Sequence, residues 1–454
     1  MEVDNVICFG DGGDTYFILF DTGDSTKRLI INNSIIKNSI SNGPFIKFIG
    51  EGSVFTSENM IIDSVRTYGP IIDTESKKSN TTFTNLEFKS NYNNNKYTCG
   101  NLYFSNKIEI SINNSIFENN LSQSDGGTLC LNTFSNIKFN LNSNNFTQNT
   151  ARNGGALYIK ERNQSHNINT ANDKDDNDSI IIKNNIFYKN KAINFGGAIY
   201  SDYPGLGIAT TQNNKFESNE AGIDGGGFFS KNYVNSSLLN SIFSHNQVNY
   251  IENDYASVPS YITMNFPRKN NSINITPGEF FPLSFVLYNE FNKPVQDSSL
   301  YYSSMLLKVN LIKINDKNGT IANSQNDFIL TGNVGSFING KCELNNFRIF
   351  AKTGAYYLNV ELENNVEKVN TQIEKVIINV TECHDNQILI YKNKNKDIIS
   401  CEKPICRKDC PITTTASCEI PSRNVTANNV NENICVCIIG WTGKNCQEKI
   451  NVDF

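Results

Sequence analysis

Residues 185–200 read NIFYKNKAINFGGAIY, and the order of residue types in this stretch decides the fold. An Asn stands just before an aromatic residue, a second Asn follows it by three positions, and a Gly pair leads into Ala-Ile-Tyr. The same order recurs at Asn145-Phe146-Thr-Gln-Asn149 with Gly154-Gly155-Ala-Leu-Tyr158, and at Asn114-Ser-Ile-Phe117-Glu-Asn-Asn120 with Gly126-Gly127. A further copy is Asn214-Lys-Phe216-Glu-Ser-Asn219 with Gly225-Gly226-Gly227. Weaker copies surround Ile35, Ile62 and Phe88 upstream and Phe243 downstream. Steps between these apolar residues are 27, 26, 29, 29, 41, 29 and 27. A recurrent period of this size points to a solenoid.

Within one period the apolar runs are four to six residues long, rich in Ile, Phe and Tyr, and broken by Asn and Gly, which reads as strand rather than helix. Three short strands per period, each turn stacked on the last, make a parallel β-helix whose coils share one continuous core. The reading expects about eight coils between residues 29 and 248, roughly 38 Å long at ~4.8 Å per coil. Phe117, Phe146, Phe187 and Phe216 are expected inside as one aromatic column. The Asn three residues after each Phe is expected to turn the corner, because Asn tolerates the left-handed conformation and its amide can bond the Asn of the next coil. The Gly pair is expected to permit a bend that a side chain would obstruct. Residues 160–178, a polar insertion, explain the long step and are expected to loop out.

The unit resembles the repeat of the polymorphic outer-membrane-protein family, marked by F-x-x-N and G-G-A-[I/L/V]. Gly154-Gly-Ala-Leu157 and Gly196-Gly-Ala-Ile199 carry the second half as it stands, while Gly126-Gly-Thr-Leu129 and Gly226-Gly-Phe-Phe229 depart from it. The resemblance covers roughly half the chain. It implies a right-handed β-helix on an exported, often adhesive protein, and it transfers no catalytic residues.

Beyond the β-helix (1–258) the composition changes. Residues 259–381 show longer strands with turn signals between them: Phe280 to Tyr288, Ser304 to Ile314, Gly354 to Leu362 and Glu374 to Val380. This pattern predicts a β-sandwich. It looks like an immunoglobulin-like module, although the Cys…Trp…Cys core of antibody domains is absent. Residues 382–405 read as a Cys-containing linker. Residues 406–447 end in Cys435-Val-Cys437-Ile-Ile-Gly440-Trp441-Thr-Gly443-Lys-Asn-Cys446, similar to the second half of an EGF-like domain, with Cys406, Cys410 and Cys418 upstream. A module this small depends on disulfides. Six cysteines allow fifteen pairings. The EGF resemblance implies Cys406–Cys418, Cys410–Cys435 and Cys437–Cys446, no calcium, and a packing role for Trp441. Cys383 and Cys401 form a plausible extra pair. Cys8, Cys99, Cys130 and Cys342 have no evident partners and read as small buried hydrophobes. The fold class is therefore all-β: a parallel β-helix, a sandwich and a small disulfide-rich module.

The chain has 454 residues, is 38% hydrophobic and 19% charged, and carries a formal net charge of -5. That balance argues against a nucleic-acid or anionic-membrane partner. Twelve cysteines, eight of them after residue 380, point to an oxidising compartment. About thirteen N-x-[S/T] sequons agree with export, with Asn80, Asn145, Asn274, Asn379 and Asn424 as candidate glycosylation sites. Met1 to Cys8 shows no signal-peptide pattern, and no apolar run is long enough to span a membrane, so either the chain is cytosolic or, the reading favoured here, it is a fragment whose export signal or anchor is expected outside this sequence.

The β-helix fold also houses polysaccharide lyases and hydrolases, whose sites cluster carboxylates with basic groups. Here Asp63, Asp73, Asp125 and Asp224 are scattered, and the last two read as turn residues beside Gly pairs. The Asp173–Asp178 run lacks the spacing of a calcium loop. Three histidines, His166, His245 and His384, lie far apart. No phosphate loop, nucleophile elbow or dinucleotide fingerprint is present. The expectation is a non-enzymatic extracellular or cell-surface protein that binds a glycan or protein ligand along an extended face, with no cofactor and no metal. A diverged carbohydrate-active enzyme is the alternative.

Overall fold

In the computed structural model the chain is described over residues 1–10, 15–161, 178–208, 210–232, 240–265, 272–314, 321–322, 327–371, 373–422 and 427–450. It divides into two compact units: Met1–Pro259 with Asn289–Tyr301, and Ser260–Tyr288 with Tyr302–Phe454.

The first unit is a parallel β-solenoid of about eight turns. One sheet has nine parallel strands running from Glu2–Asp4 through Ile186–Tyr188 to Ile242–Ser244. A second holds ten very short strands, and a third holds fourteen. The third folds on itself: Leu102–Asn113 and Leu129–Asn142 each cross a register shift, so their two halves lie in two ladders. The coils start at Glu2 rather than near Leu29, because Glu2–Asp4 pairs in register with Ile35–Lys37. The 41-residue step is still one coil, since Phe146 pairs directly with Phe187. The insertion that fills it falls mostly on residues 162–177, outside the described residues, as do His166 and most of the Asp173–Asp178 run.

Phe117, Phe146, Phe187 and Phe216 are essentially fully buried. Their rings stack nearly parallel, with centroids 4.6, 5.0 and 4.7 Å apart, and Phe243 extends the column at 4.7 Å. A second inward column runs Ile46, Ile72, Leu102, Leu129, Leu157, Ile199 and Phe228, each buried and paired with the next. A period-two alternation of core and surface side chains, repeated in register on every coil, is what closes this core.

The corner works differently from the expectation. The left-handed residue is the one before the recurrent Asn: Asn119, Gln148, Lys189, Ser218 and His245 have φ of 54, 56, 52, 55 and 55°. Turning there swings the next side chain inward, so Asn120, Asn149, Asn190, Asn219 and Asn246 are buried in a continuous amide ladder. Each of the first four Nδ2 groups donates to the Oδ1 of the next rung at 2.8–2.9 Å, and the last, on Asn246, donates to Asp254 at 2.8 Å. Each also donates to a carbonyl such as Phe117 or Phe146, and each Oδ1 accepts the previous rung's backbone N–H. A second ladder, Ser115–Asn144–Asn185–Asn214, sits two residues before each Phe. At the opposite corner the first glycine of each pair is left-handed (Gly126, Gly154, Gly196 and Gly225, φ 60–68°). The second has no room for a side chain: a Cβ on Gly127 would lie 2.0 Å from the Gly155 carbonyl oxygen.

The second unit is mostly antiparallel, with sheets of four, six and four strands and two short hairpins. Its longest pairing joins Leu306–Ile314 to Gly354–Glu363. Val309, Leu311, Tyr356 and Leu358 are buried, as alternating strands require. Residues 382–405, expected as a linker, contain the hairpin Ile388–Tyr391 and Ile399–Glu402, which pairs with Arg348–Ala351. The apolar run Ile388-Leu-Ile-Tyr391 was the signal. Residues 289–301, expected within the sandwich, associate with the solenoid unit instead. Phe291 meets Tyr255 edge-on at 5.3 Å, Lys293 stands 3.4 Å over the Tyr255 ring, and Tyr301 meets Phe195. No helix of the described residues is long and apolar enough to cross a membrane.

Candidate binding faces of the solenoid

The outward side chains of each ladder define what the solenoid can bind. On the nine-stranded sheet, charges pair locally: Lys37 with Glu2 at 3.2 Å, Lys89 with Glu87 at 2.9 Å, and Lys215 with Glu217. Such exposed pairs neutralise the face and add little stability.

The ladder formed by Thr26–Ile30, Gly52–Glu58, Lys78–Thr84, the second halves of the two long strands, and Ser179–Lys183 is different. Its outward positions are dominated by Asn, Ser and Thr, among them Asn80, Thr82, Ser111, Asn136 and Asn140. Its outward charges are Arg28, Lys78, Lys107, Lys138 and Lys183 against Glu58 and Glu109. A positive face thus stands on a chain of net charge -5. A shallow groove of about 290 Å³ opens here, lined by Lys78, Lys107, Lys138, Asn80, Glu109 and Val54 among others. Its edge is held by Asp178, which accepts from Asn136 Nδ2 at 2.7 Å, Ile137 N at 3.0 Å and Tyr203 Oη at 2.6 Å. Sequence reading missed this face. The signal was Lys at outward positions of successive coils, in register for Lys78 and Lys107 and two residues offset for Lys138, visible only once the register was known.

The four scattered carboxylates do not converge. Asp63 accepts from the neighbouring Ser64 hydroxyl. Burial, then Glu75, pushes Asp73 up to about 7, with Lys47 opposing at 4.0 Å. Asp125 forms a two-pronged ion pair with Arg152 at 2.9 and 2.7 Å and accepts from Asn153. Asp224 is buried, accepts from Asn253 at 2.7 Å and from Gly225 N at 3.0 Å, and burial pushes it up to about 7. Asp125 and Asp224 occupy the same corner three coils apart, roughly 14 Å at ~4.8 Å per coil. No group of three or more His, Cys, Asp or Glu among the described residues could hold a metal ion. His245 is exposed at its corner.

Asp224 gives a pH prediction. A carboxyl whose folded value lies above its unfolded 3.8 weakens the fold as it ionises, so its contribution to stability falls between about pH 4 and pH 7 and then levels. Asn153 stands before Gly154 in the equivalent place, so Asn fits this corner. Asp224→Asn should therefore leave stability nearly unchanged at pH 4 and raise it by about 1–2 kcal/mol at pH 8. Urea unfolding at the two pH values measures this.

The structure brings together Cys406 with Cys418, Cys410 with Cys435, Cys437 with Cys446, and Cys383 with Cys401. Cys99 and Cys130 are corrected: they are joined to each other. Cys99 precedes Gly100 at the glycine corner, and a Cβ on Gly100 would touch Cys130 Cβ at 2.7 Å, so the corner lays the two cysteines side by side. Cys130 continues a separate buried column with Tyr158, Tyr200 and Phe229, packed with Phe195 and Ile223. Aligning Cys130 in G-G-T-L-C with Tyr158 in G-G-A-L-Y carried that signal. Cys342 is a buried free thiol, and Cys8 a half-buried one. Among the sequons, Asn274 is exposed, Asn80, Asn145 and Asn379 are half-buried, and Asn424 lies outside the described residues. Asn379 donates to Asn274 across paired strands at 3.1 Å.

Residues 186–202, part of one coil, match the model of the Chlamydia polymorphic membrane protein repeat. No curated protein matches the chain. No solved structure matches it either. The observed solenoid and this repeat match together support a β-helix of the polymorphic-membrane-protein type, similar to that family over the matched residues.

Proposed function

We propose that this protein acts at or outside the cell surface by adhesion or recognition, without catalysis, binding a glycan or protein ligand along the solenoid. The observation that carries the reading is the Asn-, Ser- and Thr-rich ladder with its basic groove, which offers many donors and acceptors on an open surface. The repeat's likeness to a surface membrane-protein family supports the compartment, and five disulfides fit an oxidising one. We read residues 406–447 as an EGF-like module on the order of their disulfides, and the strand-rich part of the second unit as an immunoglobulin-like sandwich. N-glycans at Asn80, Asn145, Asn274, Asn379 and Asn424 belong to the same proposal.

The test assays recombinant protein for saturable attachment to cells and for turnover of polygalacturonate and related polysaccharides. Attachment without turnover is expected. Turnover abolished by changing a single Asp would overturn the reading in favour of a diverged carbohydrate-active enzyme.

A further inference from the structure

We infer that the basic groove is a subsite for an acidic polysaccharide, a chain bearing carboxylate or sulfate on successive sugars. This rests on the proposed binding role and names its ligand class. Lys78 and Lys107 are register partners on adjacent coils, and Lys138 stands one coil further and two residues along the strand, so three exposed ammonium groups climb the stack obliquely, one per coil of about 4.8 Å. The first step is comparable to one pyranose residue of an extended chain, and the second adds an offset of roughly 6.6 Å along the strand, so acidic groups on nearby sugars of a chain lying obliquely can meet the three lysines. No ion pair among the described residues engages these three lysines, whereas Lys77 beside them is committed to Glu51 at 2.7 Å. Unpaired cations on one ladder of an acidic chain are a local field that a polyanion would find. The groove also offers the Asn80 side-chain amide for sugar hydroxyls and the half-buried Val54 for a ring face. Glu109, paired in register with Asn80 and Lys138, stands in the middle. It repels an anionic ligand and thereby limits affinity. A glycan on Asn80 would fill the same groove, so glycosylation there and ligand binding exclude each other.

The experiment uses the full chain carrying Thr82→Ala, which removes the Asn80 sequon and keeps the amide. Retention is measured on immobilised heparin, polygalacturonate and dextran across a salt series, with cell attachment in parallel. Binding to one or both acidic polymers and not to dextran is expected, weakening as salt rises. Binding to heparin alone assigns sulfate, and binding to both assigns carboxylate as sufficient. The triple variant K78Q/K107Q/K138Q should bind about tenfold more weakly, and K89Q/K191Q/K215Q on other faces should bind as the parent. Glu109→Gln should bind more tightly. Equal loss in both triple variants, or equal capture of single-stranded DNA, would reduce the effect to undirected charge and overturn the inference. Cell attachment without polymer retention would sink the inference and leave the adhesion reading standing. Failure of both would remove both.

Discussion

Replacing Phe187 with Ala should destabilise the solenoid by roughly 3–5 kcal/mol, the cost of an unfilled cavity in a packed core. Phe187 is fully buried between Phe146 at 5.0 Å and Phe216 at 4.7 Å. Its ring is held by strands on both sides in exact register, so neighbouring coils cannot close over the void without breaking their own pairings. Denaturant unfolding followed by circular dichroism measures the loss. Replacing the outward Ile186, which is 43% exposed, gives the contrast: Ile186→Ala should change stability by less than about 1 kcal/mol. Equal effects at the two positions would show that the column is not the core.

Replacing Asn190 with Ala should cost about 2–4 kcal/mol, although the residue is polar and its removal makes the interior more apolar. Its Oδ1 accepts from Asn149 N at 3.0 Å and from Asn149 Nδ2 at 2.9 Å, and its own Nδ2 donates to the Phe146 carbonyl and to Asn219. Deletion strands two buried donors and one carbonyl in a site without water access. An apolar substitute cannot recover them, whatever its volume. Asn190→Leu should therefore fare no better than Asn190→Ala, and Asn142→Ala, at a half-exposed position, should be nearly neutral. Rescue by Leu in the unfolding midpoint would contradict the ladder's role.

The solenoid was legible because its physical constraints repeat. A buried aromatic, an inward amide and a side-chain-free corner must recur once per coil, and Phe187, Asn190 and Gly196 each do. What the repeat could not reveal is which atom of the corner turns. The left-handed position takes Asn, Gln, Lys, Ser and His in successive coils, so it leaves no residue pattern, while the Asn beside it does. Cys99–Cys130 was hidden for a related reason: it joins residues 31 apart that meet only through the coil period. The strands at Glu2–Asp4 and Ile7–Cys8 lack the motif entirely and are recruited by the edge of the next coil. The basic face depends on side chains two apart on strands one coil apart, and no single window of sequence contains it. The carboxylates read as scattered are indeed held apart, each by its own local partners.

The most direct measurement of the account attaches a polyethylene glycol chain to single exposed cysteines in a Cys8→Ser background, where the remaining free thiol, Cys342, is buried, and follows cell attachment. Thr82→Cys places the label on the Asn-rich ladder, and Thr147→Cys places it on the nine-stranded sheet. Both changes remove a sequon, so glycosylation is matched. The account predicts that the label at position 82 abolishes attachment and that the label at 147 leaves it intact. Attachment that survives the label at 82, or is lost equally at both positions, would contradict the assignment of that face as the binding surface.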